Sequence, residues 1–224
     1  MADSSLSCCE IFYNLNLTKM VKPLAEAASD FPIFWRNSDL WFAAFCIMFN
    51  PFFWNVVARW EYRTHAITHW FGSAERGCYA LAVVICLLGL FRDYRFEEAI
   101  SGQPIALAMC TENVRICGTL LIVVGTVLVL SSTWSLGIVG TFLGDYFGLL
   151  LNKKVTHFPF NVMNNPMYWG STLNFLGYSL RQCSPAGVLL TTLVAICYKI
   201  ALLFEGPFTE NIYAEKKLRE EKEE

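Results

Sequence analysis

Apolar runs broken by short charged islands dominate this chain. The first run covers residues 41–58 and is interrupted by Asn50-Pro51, with Asn55 following. Proline removes a backbone donor and restricts the residue before it, so this segment reads equally as a kinked or re-entrant one or as a straight span. A polar island at 59–76 holds Glu61, Arg63, His65, His69 and Glu75. The next run, 77–91, is uncharged but short for a bilayer and needs its flanking residues to reach across. A charged loop is expected after it, from Arg92, Asp93 and Arg95 through Glu97 and Glu98 to Glu112 and Arg115. Residues 116–144 contain no charge and predict a full transmembrane helix. Residues 155–180 are uncharged yet rich in Asn, Pro and Gly, and the last run, 182–204, is interrupted only by Lys199, whose stem can snorkel to an interface. From Glu215 onward a dense mixture of charges reads as a solvated helical end.

This pattern predicts an all-α, polytopic membrane helix bundle with about four hydrophobic segments. It divides into a polar N-terminal leader at 1–39, a membrane-embedded domain at 40–213 and a charged tail at 214–224. If the first run spans fully, both termini share a side with the 92–115 loop. If it is re-entrant, the N-terminus lies across the membrane. In either case the Lys/Arg of the tail and of that loop place the C-terminus in the cytosol. The first 30 residues lack a basic stretch followed by an apolar one, so insertion is expected to rely on internal segments.

Composition narrows the function classes. Only 16% of the 224 residues are charged, against about 25% in ordinary soluble domains. A separate soluble catalytic domain has no room. The formal net charge of -2 gives no basic footprint for nucleic acid. The nine cysteines form no CxxC pair and show no metal-type spacing with the three histidines. Cys46, Cys78, Cys86, Cys117 and Cys197 lie in apolar runs, where a thiol behaves as a small hydrophobe. His65 and His69 have an i,i+4 spacing but no evident third ligand, and His157 is isolated among aromatic residues, so no metal site is expected.

Three segments can carry chemistry. In the first, 137–148, glycines 140, 144 and 148 are expected on one helical face, a packing device in membranes. Packing leaves Asp145 unexplained, because a carboxylate at the edge of a long apolar run is costly; Thr141 is expected to face the same way. In the second, 158–171, Asn165-Pro166 predicts a helix start with an N-cap side chain and proline in the first turn, suited to a phosphate or carboxylate. An ordinary capped loop fits that segment as well. In the third, Glu205 meets water where Pro207 is expected to end the last helix. It reads as a solvated end or as a carboxylate that binds a polar cofactor.

These segments resemble the phospholipid N-methyltransferase family. The resemblance is carried by FNPFFWNVVARWEYRTH at 49–65, VLVLSSTWSLGIVGTFLGDYFGLL at 127–150, VTHFPFNVMNNPMYWGSTLNFLG at 155–177 and ALLFEGPFTENIY at 201–213. GCYALAVV and LFRDYRFEEAISGQP are similar to the fungal members. The resemblance implies S-adenosylmethionine-dependent methylation of mono- and dimethyl-phosphatidylethanolamine to phosphatidylcholine in the endoplasmic reticulum, with a mitochondrial membrane as the alternative. The family's GxG cofactor motif falls on Val123, Val124 and Gly125, of which only Gly125 matches. Its Glu-Glu pair falls on Glu205 and Gly206, of which only Glu205 matches. The segment around Asn165, Pro166 and Tyr168 is similar, more loosely, to the wider group that includes isoprenylcysteine carboxyl methyltransferases.

On this reading Asp145 and Glu205 are the candidate proton acceptors, and Glu205 with Gly206 and residues 123–125 holds the cofactor. Asn165, Tyr168, Lys153 and Lys154 face the lipid substrate, which enters sideways from the bilayer. The competing classes are a non-catalytic membrane scaffold or carrier and a methyltransferase for prenylated cysteine.

Overall fold

A computed structural model describes residues 32–151 and 155–223. Helix α1 (Ser38–Thr64) starts where the Asn37 side chain accepts from the Asp39 amide, and runs unbroken through Pro51. It is one continuous helix of 27 residues, long and apolar enough for a span, where a re-entrant segment would turn back on itself. A short α2 (Ala66–Phe71) leads into α3 (Ala74–Ser101), capped by Ser73. Helix α4 (Glu112–Thr141) is capped by Thr111, and a 3-10 turn follows at Gly144–Phe147. Helix α5 (Pro166–Arg181) and the long α6 (Pro185–Glu223) complete the bundle. No strand occurs among the described residues. Four helical segments, Ser38–Thr64, Ala74–Ser101, Glu112–Phe147 and Pro185–Lys216, are long and apolar enough to cross a membrane. The chain is an integral membrane protein.

The charged loop expected at 92–115 is shorter: residues 92–101 continue α3, and the connection is 102–111. Helix continues through 92–101 because the charges there are neutralised locally: Arg95 pairs with Asp39 at 2.6 Å and with Glu98, and Arg92 pairs with Asp93 at 2.9 Å. Between these charges, Phe96, Ala99 and Ile100 are buried in a core with Leu40, Ile47, Phe175, Leu190 and Val194.

Helices α4 and α5 make the closest contact. A Cβ on Gly118 would lie 2.7 Å from the Gly177 carbonyl oxygen, and one on Gly125 would lie 2.5 Å from that of Gly170. Small residues thus let two backbones touch, as membrane helices require. The contact runs antiparallel, so α5 carries the chain back to the end where α4 began. There Ala106 N–H donates to the Cys183 carbonyl at 2.9 Å, and Cys110 and Cys183 form a disulfide with Cα atoms 5.2 Å apart. The N-terminal end of α1 is at this same end, where Phe34 and Gln103 exchange two hydrogen bonds. Helix α6 then leaves in the opposite direction.

The two ends of the described chain therefore lie on opposite sides of the bundle, not on one side as the count of apolar runs implied. That count missed the return made by α5, whose 16 residues rise only about 24 Å and whose Asn and Gly content hides it.

Candidate active site

The end of the bundle opposite the disulfide gathers the polar groups. Glu205 lies on α6, and its carboxylate is held from two other helices. The Trp54 indole N–H donates to Oε1 at 2.7 Å, Asn55 Nδ2 donates to the same oxygen at 2.9 Å, and the Tyr168 hydroxyl donates to Oε2 at 2.5 Å. A carboxylate offers about four acceptor positions, so three are occupied and one is left. Helix α6 does not stop at Pro207 but continues to Glu223. Proline removes one intrahelical donor there, and Arg59 supplies a hydrogen bond close by, from Nη2 to the Phe204 carbonyl at 2.8 Å.

Asp145 belongs to the 3-10 turn. Its Oδ2 accepts from the Thr209 hydroxyl at 2.7 Å and its Oδ1 from the Tyr146 amide at 3.2 Å. The expected single face of glycines 140, 144 and 148 does not exist, because the helix breaks first. Gly137 has φ 65 and ψ 179, a conformation closed to most other residues, and Leu143 and Gly148 also have positive φ. Thr141 therefore does not share a helical face with Asp145. Tyr146 stacks on Phe208 with centroids 4.5 Å apart, and the Arg59 guanidinium sits over Phe208 at 4.8 Å. This packing joins the Asp145 turn to the Glu205 segment of α6.

A cavity of about 370 Å³ opens beside these groups, within the range of roughly 300–1,000 Å³ usual for small-molecule sites. Trp54, Tyr168 and Tyr198 form one wall, and Thr141 and Phe142 close the end near Asp145. Tyr168 and Tyr198 meet edge to face at 5.0 Å, and Trp54 and Tyr198 lie 6.4 Å apart. Neither carboxylate lines the cavity: Glu205 stands directly behind Trp54 and Tyr168, and Asp145 follows the lining segment 141–143. Thr141 Oγ1, Asn55 Oδ1 and the Tyr146 hydroxyl are buried without hydrogen-bond partners. Buried polar atoms are normally satisfied, and of these three Thr141 lines the cavity, where a polar ligand would complete it.

Tyr168 joins Glu205 directly. Asn165 precedes α5 with φ 56, exposed, and its side chain makes no cap; the proline of the first turn is as expected, but the left-handed backbone aims the Asn side chain away from the free amides. Val123 and Val124 are 54% and 50% exposed on the outer face of α4, and Gly125 packs on Gly170 and Asn174. Gly206 faces open space. Lys153 and Lys154 lie outside the described residues. His65 ends α1, His65 and His69 are exposed, and His157 contacts Ser135 Oγ at 3.1 Å. Among the described residues, no three metal-type ligands come together. Sequence reasoning overlooked Trp54, Arg92 and Tyr198. The available signal was an Asn-rich interruption of the first run and a charge directly abutting the second.

The family described as phospholipid methyltransferase matches residues 114–216. The chain is 53% identical over 175 residues to a phosphatidyl-N-methylethanolamine N-methyltransferase of Emericella nidulans, covering 78% of this chain and 85% of the relative. It is 51% identical to a phosphatidylethanolamine N-methyltransferase of Rattus norvegicus, covering 79% and 89%. A phosphatidyl-N-methylethanolamine N-methyltransferase of Saccharomyces cerevisiae is also 51% identical, covering 81% and 88%. No solved structure matches the chain. With about half of the aligned residues identical over roughly four fifths of this chain and most of each relative, the chain belongs to the phospholipid methyltransferase family.

Proposed function

We propose that this protein methylates the amine headgroup of phospholipids, converting mono- and dimethyl-phosphatidylethanolamine to phosphatidylcholine with S-adenosylmethionine as donor. The observation that carries the proposal is a carboxylate, Glu205, fixed by three donors behind the aromatic wall of a cavity in a protein half identical to enzymes of that name. S-adenosylmethionine supplies a methyl group on a positively charged sulfur, already activated for displacement. Thr141 lines the cavity and would hold one of its polar groups, while Glu205 and Asn55, behind the cavity wall, each keep an unused hydrogen-bonding position at the same end.

The remaining work belongs to the chain. A lipid ammonium must lose a proton before its nitrogen can attack, and burial in the cavity favours that loss. Tyr168 lines the cavity while donating to Glu205, so its hydroxyl oxygen can take the amine proton as its own proton passes to Glu205 Oε2. Asp145, with two acceptor positions unused, is the alternative acceptor. The rings of Trp54, Tyr168 and Tyr198 hold the methylated ammonium by cation–π attraction and keep water out.

Orientation follows from two features. A Cys110–Cys183 disulfide supports an oxidising compartment at its end, and the tail with Lys216, Lys217, Arg219 and Lys222 leaves from the other end. The proposed setting is therefore the endoplasmic reticulum membrane, with the disulfide in the lumen and Glu205 toward the cytosol.

The deciding experiment is transfer of labelled methyl to phosphatidylethanolamine and to its mono- and dimethyl forms by purified protein in lipid. Label on the two methylated substrates is expected; label on none of the three would sink the proposal.

A further inference from the structure

At the deep end of the cavity, Arg92 has a place that helix packing does not explain. It lies one turn further into the bundle than Arg95, which is fixed to Asp39 at the helix end. An arginine near a helix end normally extends toward water. Arg92 instead turns inward: its side chain is only 11% exposed, its guanidinium lies 5.0 Å over the Phe175 ring, and Nη1 donates to the Tyr198 hydroxyl at 2.8 Å. Nε and Nη2 donate to Asp93 Oδ1 at 3.0 and 2.9 Å. A guanidinium has five N–H groups, so two donors remain on a residue that lines the cavity. Asp93, which also lines the cavity, balances the charge from one side, and the two spare donors are what mark Arg92 as a ligand site.

The space before Arg92 is open. A Cβ on Gly89, one turn away on the same wall, would meet nothing within 4 Å. Helix α3 packs on α1, and α4 packs on α5, so α3 and α4 touch only sparsely. Both contribute to the lining, through Cys86 and Gly89 on one side and Val129 and Thr133 on the other. The cavity lining thus bridges the sparsely packed seam between α3 and α4.

The cavity thus joins a fixed cation to a wall of three rings, with Tyr198 belonging to both. That is the complement of a zwitterionic headgroup, whose phosphodiester and amine are separated by two carbons. We propose that Arg92 binds the phosphodiester of the lipid substrate, which enters between α3 and α4 and so brings its amine to the Trp54–Tyr168–Tyr198 wall. The inference rests on the reading of the protein as a lipid methyltransferase, and it names the residue that selects the phosphate.

The methyl donor carries a carboxylate, also an anion, so the test has to separate the two. Initial rates are measured for Arg92→Gln and Arg92→Lys against monomethyl-phosphatidylethanolamine and, separately, against S-adenosylmethionine. Loss of charge-assisted hydrogen bonds should raise the lipid KM about ten- to a hundredfold in Arg92→Gln. Arg92→Lys should recover part of the loss, and the donor KM should stay within about twofold of wild type. A raised donor KM with an unchanged lipid KM would assign Arg92 to the donor and overturn the proposal, as would a change in kcat alone.

A binding measurement stands apart from catalysis. Cys86 is free, exposed and part of the cavity lining. Its maleimide labelling in micelles, located by mass spectrometry, should slow with phosphatidylglycerol or monomethyl-phosphatidylethanolamine but not with diacylglycerol, which has no phosphate. Arg92→Gln should abolish the protection. Should that variant fail to fold, Gly89→Leu, whose side chain enters open space, should block it equally. Equal protection by diacylglycerol, or none by either phospholipid, would overturn the proposal even in a protein that methylates lipids. Protection without any methyl transfer would instead reject only the enzymatic reading.

Discussion

Gly125 and Gly170 occupy each other's missing side-chain space: a Cβ on Gly125 would stand 2.5 Å from the Gly170 carbonyl oxygen, and one on Gly170 would stand 2.6 Å from that of Gly125. Neither backbone can retreat without separating α4 from α5. Gly125→Ala should therefore cost about 1–3 kcal/mol, the usual range for overpacking. The thermal unfolding midpoint in detergent should fall, with activity lost in parallel with folded protein. A stable Gly125→Ala protein defective only in donor binding would place the residue in the cofactor site instead.

Gly206 offers the opposite case. Nothing lies within 4 Å of its missing Cβ, so the Glu of the family's pair can be restored without a clash. Gly206→Glu should fold and gain a few tenths to about 1 kcal/mol from helix propensity. It should also lower the KM for S-adenosylmethionine several-fold. An unchanged donor KM would show that the single Glu205 meets the whole requirement.

Glu205 and Tyr168 should respond unequally to conservative change. Glu205→Gln removes the proton acceptor and one of two oxygens that together receive three donors, and kcat should fall about a hundredfold or more. Tyr168→Phe removes one hydrogen bond to that carboxylate and leaves the ring in place, for a loss of about ten- to a hundredfold. Both proteins should elute and melt close to wild type. A Tyr168→Phe enzyme at full kcat would exclude the hydroxyl from proton transfer.

The opposite placement of the two bundle ends can be read in sealed microsomes. A C-terminal epitope should be removed by added protease. Cys110 should react with a membrane-impermeant thiol reagent only after permeabilisation and reduction. Labelling of Cys110 in sealed, reduced vesicles would reverse the proposed orientation.

Much of the architecture was legible because bilayers impose long, charge-free helices: the run at 116–144 became α4, with a turn added at its start and the end trimmed where Gly137 and Leu143 leave helical geometry. Two things were hidden. Helix α5 mixes Asn, Gly and Ser with apolar residues, because it buries one face against the glycines of α4 and lends the other to the cavity. The charges from Arg92 to Glu98 looked like a loop because the partner that ties them into the bundle, Asp39, lies far away in the sequence. At the site, Asp145, Tyr168 and Glu205 were visible as isolated polar residues in apolar surroundings. Trp54 and Arg92 were not, since a tryptophan in an apolar run and an arginine at its edge are the commonest occupants of those places.

The bond between Trp54 and Glu205 spans 151 positions. A ribosome makes α1 early and the carboxylate that completes the wall almost last, after the glycine contact of α4 with α5 is already possible. Until α6 is inserted, a nascent chain can hold its helices in the membrane yet lacks the group behind Trp54 and Tyr168. A chain cut short before this point therefore has an aromatic wall without the proposed proton acceptor behind it, and is expected not to consume methyl donor. Catalytic competence thus reports that synthesis has passed Glu205.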